Sequence, residues 1–237
     1  ILMIKINGIH YEIAKFRKDI GILNGRHPES VKFVDEIAED LKRRDFTINA
    51  IGYDFFKQEF LDPFDGINDL KNETIKHIND KTFIEDSLRV YRAIQFASRF
   101  DFKIDENTKE LCKQIVLSDE LNYLPKERIY EEFKKLFLKS AKPSIGFELL
   151  RKLGVLRYFP ELEVLIDCIQ EPEYHPEGDV WIHTMMCLDE LARIIKEEKI
   201  DDEYKKLYLF YSVLCHDLGK PFCTQEINGK ITSHKHE

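Results

Sequence analysis

The chain opens on an alternation of apolar and polar positions. In "ILMIKINGIHYEIAKF" two β-prone runs flank Asn7-Gly8, a dipeptide that suits a two-residue hairpin because both turn residues must take positive φ. That turn sets Ile6 opposite Ile9, Ile4 opposite Tyr11 and Met3 opposite Glu12. One face then collects Leu2, Ile4, Ile6, Ile9, Tyr11 and Ile13, which the pattern predicts as a buried layer. The other face collects Met3, Lys5, His10 and Glu12. Residues 18–30, "KDIGILNGRHPES", carry Gly, Asn-Gly and Pro and read as a loop. "EFLDPFDGINDL" reads as a short β segment with turns at Asp62-Pro63 and Asp65-Gly66, and "ETIKHI" as one more strand.

From about residue 80 the period becomes helical. "DKTFIEDSLRVYRAIQFASRF" reads as one helix, and "DENTKELCKQIVL" as a second with capping residues ahead of it. "PKERIYEEFKKLFL" starts on Pro125, a residue favoured in a first turn, and "KPSIGFELLRKLGVLRYF" stops near Gly154. "CIQEPEYHPEG" (168–178) reads as a linker, followed by helices over about 180–198 and 201–218 and a Gly-Lys-Pro break. The order predicts an α+β fold: a small mixed-sheet region over 1–80, a helical middle over 81–165 and a second helical unit over 166–237.

Composition narrows the classes. The 237 residues are 43% apolar and 34% charged, as in ordinary folded domains. No apolar run approaches the roughly 20 residues that span a bilayer, and no leader pattern precedes the first strand. Five cysteines without a C-x-x-C pair point to reduced thiols, a cytoplasmic location and no zinc site built on cysteine. A net charge of −8 argues against coating nucleic acid by charge alone. The cations are local, at Lys42-Arg43-Arg44, Arg89/Arg92/Arg99 and Lys126/Arg128. Such clusters suit a nucleoside triphosphate or a defined stretch of RNA backbone; each also fits a solvated helix face.

"RRDFTINAIGYD" (43–54) sets two arginines and Asp45 directly ahead of an apolar run. One reading is a charged helix start, with Asp45 at the positive end of the helix dipole. The other is an anion site, since paired guanidinium groups over a core need a negative partner. In "EDSLRVYR", Asp86, Arg89 and Arg92 recur every three residues, which on a helix forms one stripe. A surface ion pair there is worth about 0–1 kcal/mol. The chemical alternative is a protein-made pairing edge. A carboxylate accepts from the exocyclic amine of C or A, and a guanidinium donates to the adjacent ring acceptor. Uracil and guanine present a carbonyl at that point and are repelled.

"EDLKRRDFTINAIGYD", "DPFDGINDL", "IEDSLRVYRAIQFASRF" and "PKERIYEEF" stand in order over about residues 1–160. Together they resemble the class II tRNA nucleotidyltransferases, the CCA-adding enzymes, and their poly(A) polymerase relatives. The resemblance implies Arg44 as a contact to the incoming nucleotide, Asp86 and Arg89 as the templating pair, and Arg92 as a further nucleotide contact. Where family members often carry another arginine a turn later, this chain has Gln95. The family's metal-holding Asp-x-Asp and its Gly-Gly…Arg phosphate loop do not occur in these 237 residues. Its third carboxylate stands between apolar strand residues, as Glu12 does in Tyr11-Glu12-Ile13; a solvated strand glutamate is the plain alternative. The expected cofactor there is Mg2+ and the expected partners are tRNA, CTP and ATP, with no membrane. On this reading residues 1–80 are a partial nucleotidyltransferase head, 81–165 a nucleotide-recognition and RNA-binding neck and body, and the chain alone does not polymerise.

"HPEGDVWIHTMMCLDEL" followed by "LCHDLGKP" resembles an HD domain, as appended to a subset of CCA-adding enzymes. His183, His216 and Asp217 are the implied ligands of a divalent metal such as Ni2+ or Mg2+, with His234 and His236 as possible neighbours. The function expected is addition of C and A to the tRNA 3′ end, with a phosphohydrolase unit attached. Poly(A), CC-only or A-only addition, a non-catalytic RNA-binding module and a stand-alone HD phosphohydrolase are the alternatives.

Overall fold

The structure is a computed structural model that describes residues 2–21 and 30–236. Contacts divide it into two units, Ile1–Arg89 with Asp105–Leu111, and Val90–Ile104 with Cys112–Glu237.

The first unit begins with β1 (Leu2–Ile6) and β2 (Ile9–Ile13), paired in the expected register, Met3 opposite Glu12 and Ile6 opposite Ile9. Asn7 and Gly8 both take positive φ, +50° and +82°. The apolar face is not the buried layer that its pattern predicts. Leu2, Ile6, Ile9, Tyr11 and Ile13 are all exposed, because a two-stranded ladder is too narrow to cover its own face. The stretch read as a loop over 18–30 is strand at both ends. β3 (Arg17–Ile20) pairs antiparallel with β4 (Ser30–Phe33), and residues 22–29 lie outside the described ones. After α1 (Ile37–Leu41), β5 (Gly52–Asp54) pairs with β6 (Glu59–Leu61), and α2 (Gly66–Lys71) and β7 (Thr74–Ile75) follow. The strands thus form separate two-stranded ladders.

The long helix expected over 80–100 is two helices, α3 (Asp80–Glu85) and α4 (Arg89–Phe100). Asn79 caps α3, its side chain accepting from Thr82 N at 3.1 Å. Asp86 ends the helix with extended backbone, φ −126° and ψ 91°.

The second unit holds most of α4, then β8 (Lys103–Ile104) and the C-terminal half of α5 (Glu106–Leu117). It continues with α6 (Lys126–Lys139), α7 (Pro143–Lys152), α8 (Pro160–Glu163), α9 (Val180–Glu197), α10 (Glu203–Cys215) and α11 (Lys220–Cys223). Gly154 ends the turn after α7 with φ +76°, the left-handed conformation that favours glycine. Phe137, Phe147, Phe210 and Trp181 are fully buried and touch ring to ring at 5.0–6.5 Å, tying α6, α7, α9 and α10 into one core. The Trp181 indole N–H donates to Glu148 Oε1 at 2.5 Å. One element went unforeseen, the hairpin β9 (Gln225–Ile227) and β10 (Lys230–Thr232) turning at Asn228-Gly229. The same dipeptide that marks the first hairpin marks this one.

Candidate functional site

The arginine block does not start a helix. Arg43 and Arg44 follow the end of α1, and Asp45 is buried at the base of a 3-10 turn, Thr47–Asn49. The reason is competition for the backbone. Asp45 Oδ1 accepts from Phe46 N at 2.9 Å and from Asn49 Nδ2 at 3.0 Å, and Thr47 N donates across to Lys76 O at 2.9 Å. Those bonds hold Phe46 extended and fully buried against Phe83.

Each guanidinium of the block is anchored. Buried Asp40 accepts from Arg43 Nη2 at 2.9 Å and lies 3.8 Å from Arg44 Nη2. Arg44 Nη1 donates to Asn49 O at 2.9 Å, and its side chain is 45% exposed, so it presents positive charge to solvent from a braced position. Below the block, Thr47 Oγ1 donates to buried Asp69 Oδ2 at 2.7 Å. Gly66 lies so close that an added Cβ would stand 2.2 Å from Thr47 O. The turn residues of "DPFDG" therefore support the arginine block directly.

Asp86 and Arg89 reach the same place by another route than the one expected. They do not share a helix: Asp86 sits in the turn before α4 and Arg89 is its first residue. Asp86 caps that start, its carbonyl accepting from Arg89 N at 2.9 Å and its Oδ1 from Leu88 N at 3.3 Å. The Arg89 guanidinium donates to Arg43 O at 2.8 Å and to Arg44 O at 3.4 Å. Arg44, Asp86 and Arg89 are thus brought together within the first unit. Arg92 belongs to the second unit, 3.7 Å from buried Glu132 and stacked over Phe96. Gln95 is buried in the core of that unit.

Glu12 is exposed on β2 opposite Met3. Among the described residues it joins no group of side chains able to hold a metal ion. One carboxylate does not make a two-metal centre, so no magnesium-dependent step is derived from these residues.

In the second unit His183 lies on α9, and His216 and Asp217 follow α10 directly. All three meet. Asp217, with its side chain 3% exposed, has Oδ2 at 3.3 Å from His216 Nε2 and 4.0 Å from His183 Nε2. His236 joins through Nε2, 3.6 Å from Asp217 Oδ1, whereas His234 is exposed in the turn before it. Each imidazole donates its Nδ1–H to a fixed acceptor: His183 to Glu177 Oε1 at 2.7 Å, His216 to Val213 O at 2.6 Å, His236 to Ser233 O at 2.6 Å. That leaves three Nε2 lone pairs turned toward one buried carboxylate, the tautomer suited to a cation. Lys220 Nζ stands 2.8 Å from Asp217 Oδ2, yet that oxygen is buried without an aligned hydrogen bond among the described residues. Gly219 lets the tail close in, since a Cβ there would meet His236 O at 2.0 Å. Glu177 is held down to about 2 by backbone hydrogen bonding first and by His175 and His183 next. The set of imidazoles around one buried carboxylate fits a divalent ion, which would compete with Lys220 for Asp217 Oδ2.

Sequence reasoning missed Glu177, His175 and Cys187. His175 Nδ1 lies 3.0 Å from Glu177 Oε1, within the stretch read as a linker. Cys187 Sγ is 3.4 Å from His183 Nε2, one helical turn along α9. The signal for Cys187 was its position four residues after His183 on α9; His175 and Glu177 precede that helix, where no period marks them.

Residues 1–76 match the family described as the Poly A polymerase head domain, and 101–166 match "Probable RNA and SrmB- binding site of polymerase A". This chain belongs to the class II CCA-adding enzyme and poly(A) polymerase family. The Multifunctional CCA protein of Mannheimia succiniciproducens is 40% identical over 195 residues, 81% of this chain and 45% of the relative. That of Laribacter hongkongensis is 35% identical over 229 residues, 95% of this chain and 54% of the relative. Among solved structures, the Bacillus stearothermophilus CCA-adding enzyme in complex with CTP is similar with a TM-score of 0.54. It is 32% identical, over 62% of this chain and 35% of that one. The chain spans about half the length of the curated relatives it matches. The α+β architecture expected from the order of elements, small sheets followed by helices, is the one observed. No described helix is long and apolar enough to cross a membrane.

Proposed function

We propose that the protein is a tRNA nucleotidyltransferase that adds C and A to the tRNA 3′ end from CTP and ATP. The observation that carries this reading is the bracing of Arg89 against the Arg43 and Arg44 carbonyls. It joins the Asp86 turn and the arginine block into one fixed cationic edge. On that edge the Asp86 carboxylate accepts from the amine of C or A while Arg89 donates to the neighbouring ring acceptor. Arg44, braced on Asn49 O and half-exposed, contacts the incoming nucleotide. Arg92 as a nucleotide contact and Glu12 as a metal-holding carboxylate rest on the family likeness alone. The similarity to a CTP complex and to proteins named for CCA addition supports the choice of substrate. A cytoplasmic location goes with that substrate and with the free thiols.

The reading is tested with the full-length protein, by incorporation of labelled CTP and ATP into tRNA lacking its terminal triplet. Asp86→Ala is expected to lose about 1–3 kcal/mol of discrimination against UTP and GTP, roughly fivefold to 150-fold. Unchanged discrimination would remove the pairing-edge reading.

The second activity proposed is metal-dependent hydrolysis of phosphate esters by residues 166–237 as an HD domain. His183, His216 and Asp217 would hold the ion, with His236 beside them. A divalent ion, when bound, supplies Lewis acidity toward the ester. Glu177 and the Val213 carbonyl fix the imidazole tautomers, and Lys220 holds the Asp217 carboxylate in place.

A further inference from the structure

The cluster around Asp217 holds a donor of a different chemical kind from the imidazoles and carboxylate. Cys187 lies four residues after His183, so both project from one face of α9. Cys187 Sγ is 3.4 Å from His183 Nε2, and His183, Cys187 and His216 each bring a ligand atom within 4.8 Å of the other two. Zinc takes nitrogen at about 2.0–2.1 Å and sulfur at about 2.3 Å, which in a tetrahedron sets nitrogen and sulfur about 3.6 Å apart. The observed separation, which the thiol and the imidazole bridge by a hydrogen bond, is also the spacing that two ligands take on one ion. Asp217 Oδ2, paired with Lys220 Nζ at 2.8 Å, lies 3.3 Å from His216 Nε2 and 4.0 Å from His183 Nε2.

We infer that Cys187 Sγ is a metal ligand, which makes this a mixed imidazole, thiolate and carboxylate site for a thiophilic divalent ion of the zinc and cobalt class. The inference rests on the metal-site reading above and goes beyond it by naming a sulfur ligand and the class of ion. Magnesium prefers oxygen donors in an octahedron and gains little from sulfur, whereas zinc and cobalt take sulfur and imidazole together. Binding exchanges the thiol proton for the ion: the S–H bond breaks, the S–metal bond forms and the proton leaves to solvent. Hence the site favours Zn2+ over Mg2+, although nothing in the cysteine spacing along the chain announces a zinc centre.

The test uses the full chain, freed of metal and titrated with Co2+. Sulfur-to-cobalt charge-transfer absorption in the near ultraviolet is expected beside visible ligand-field bands. Cys187→Ser is expected to lose the charge-transfer band and keep the ligand-field bands, and Cys223→Ser to keep both. Competition of Zn2+ against Mg2+ should weaken by about tenfold or more in Cys187→Ser. X-ray absorption of the zinc-loaded wild type should show one sulfur neighbour at about 2.3 Å, a readout independent of how any variant folds. Ligand-field bands without charge transfer, or a zinc shell without sulfur, would overturn the sulfur ligand and leave the metal site standing. Calorimetry with no heat of Co2+ or Zn2+ binding would remove both.

Discussion

Gly66 shows at the residue scale how much a single hydrogen in place of a methyl group decides. Its α-carbon packs against the Thr47 carbonyl, and a Cβ would come to 2.2 Å, well inside contact distance. Gly66→Ala must therefore push α2 away from the 3-10 turn that carries Thr47, Ile48 and Asn49. The expected cost is about 1–3 kcal/mol, read as a lower urea midpoint. Because Asn49 O holds Arg44, nucleotide affinity should fall with it. Thr47→Ser keeps the hydroxyl that Asp69 accepts and should spare both properties. The sequence displayed Gly66 as a turn residue and nothing more. Its contact is with a residue nineteen positions away, and no local pattern carries that.

At the element scale, helix ends were the least legible feature. A continuous apolar period runs through 80–100, yet the chain breaks at Asp86, because its carboxylate and carbonyl take the amides of Leu88 and Arg89. A short acidic side chain competes with the helix for backbone donors, and periodicity is blind to that competition. Where a cap stands ahead of a clean period the boundary was readable, as at α5. There Asp105 accepts from Thr108 N at 3.2 Å and its carbonyl accepts from Lys109 N at 2.9 Å. Asp105→Ala should cost about 0.5–2 kcal/mol, measured by chemical denaturation, and Asp105→Asn much less. The hairpin at Asn228-Gly229 is the converse lesson. Its turn signal was present, but its strands are only three residues each, too short for alternation to register.

On the scale of the whole molecule, the candidate chemistry divides as the units do. The arginine edge belongs to one unit and the histidine cluster to the other. His216→Ala removes a half-exposed imidazole next to Asp217. It should abolish metal-dependent hydrolysis of a nitrophenyl phosphate ester while leaving CTP and ATP incorporation unchanged. Parallel assays on one preparation check this, and joint loss would mean that the two activities are not separable.

The amino-acid sequence by itself determined the register of the first hairpin, the α+β order and the residue types that can read a base or hold an ion. Those depend on local backbone preference, on side-chain period and on chemistry written into each residue. Only the tertiary structure decided that Arg89 reaches the Arg43 and Arg44 carbonyls from outside Asp86's own helix. It also decided that a cysteine one turn beyond His183 enters the cluster around Asp217. Both depend on elements far apart in the chain meeting at distances of a few ångströms, which only packing fixes.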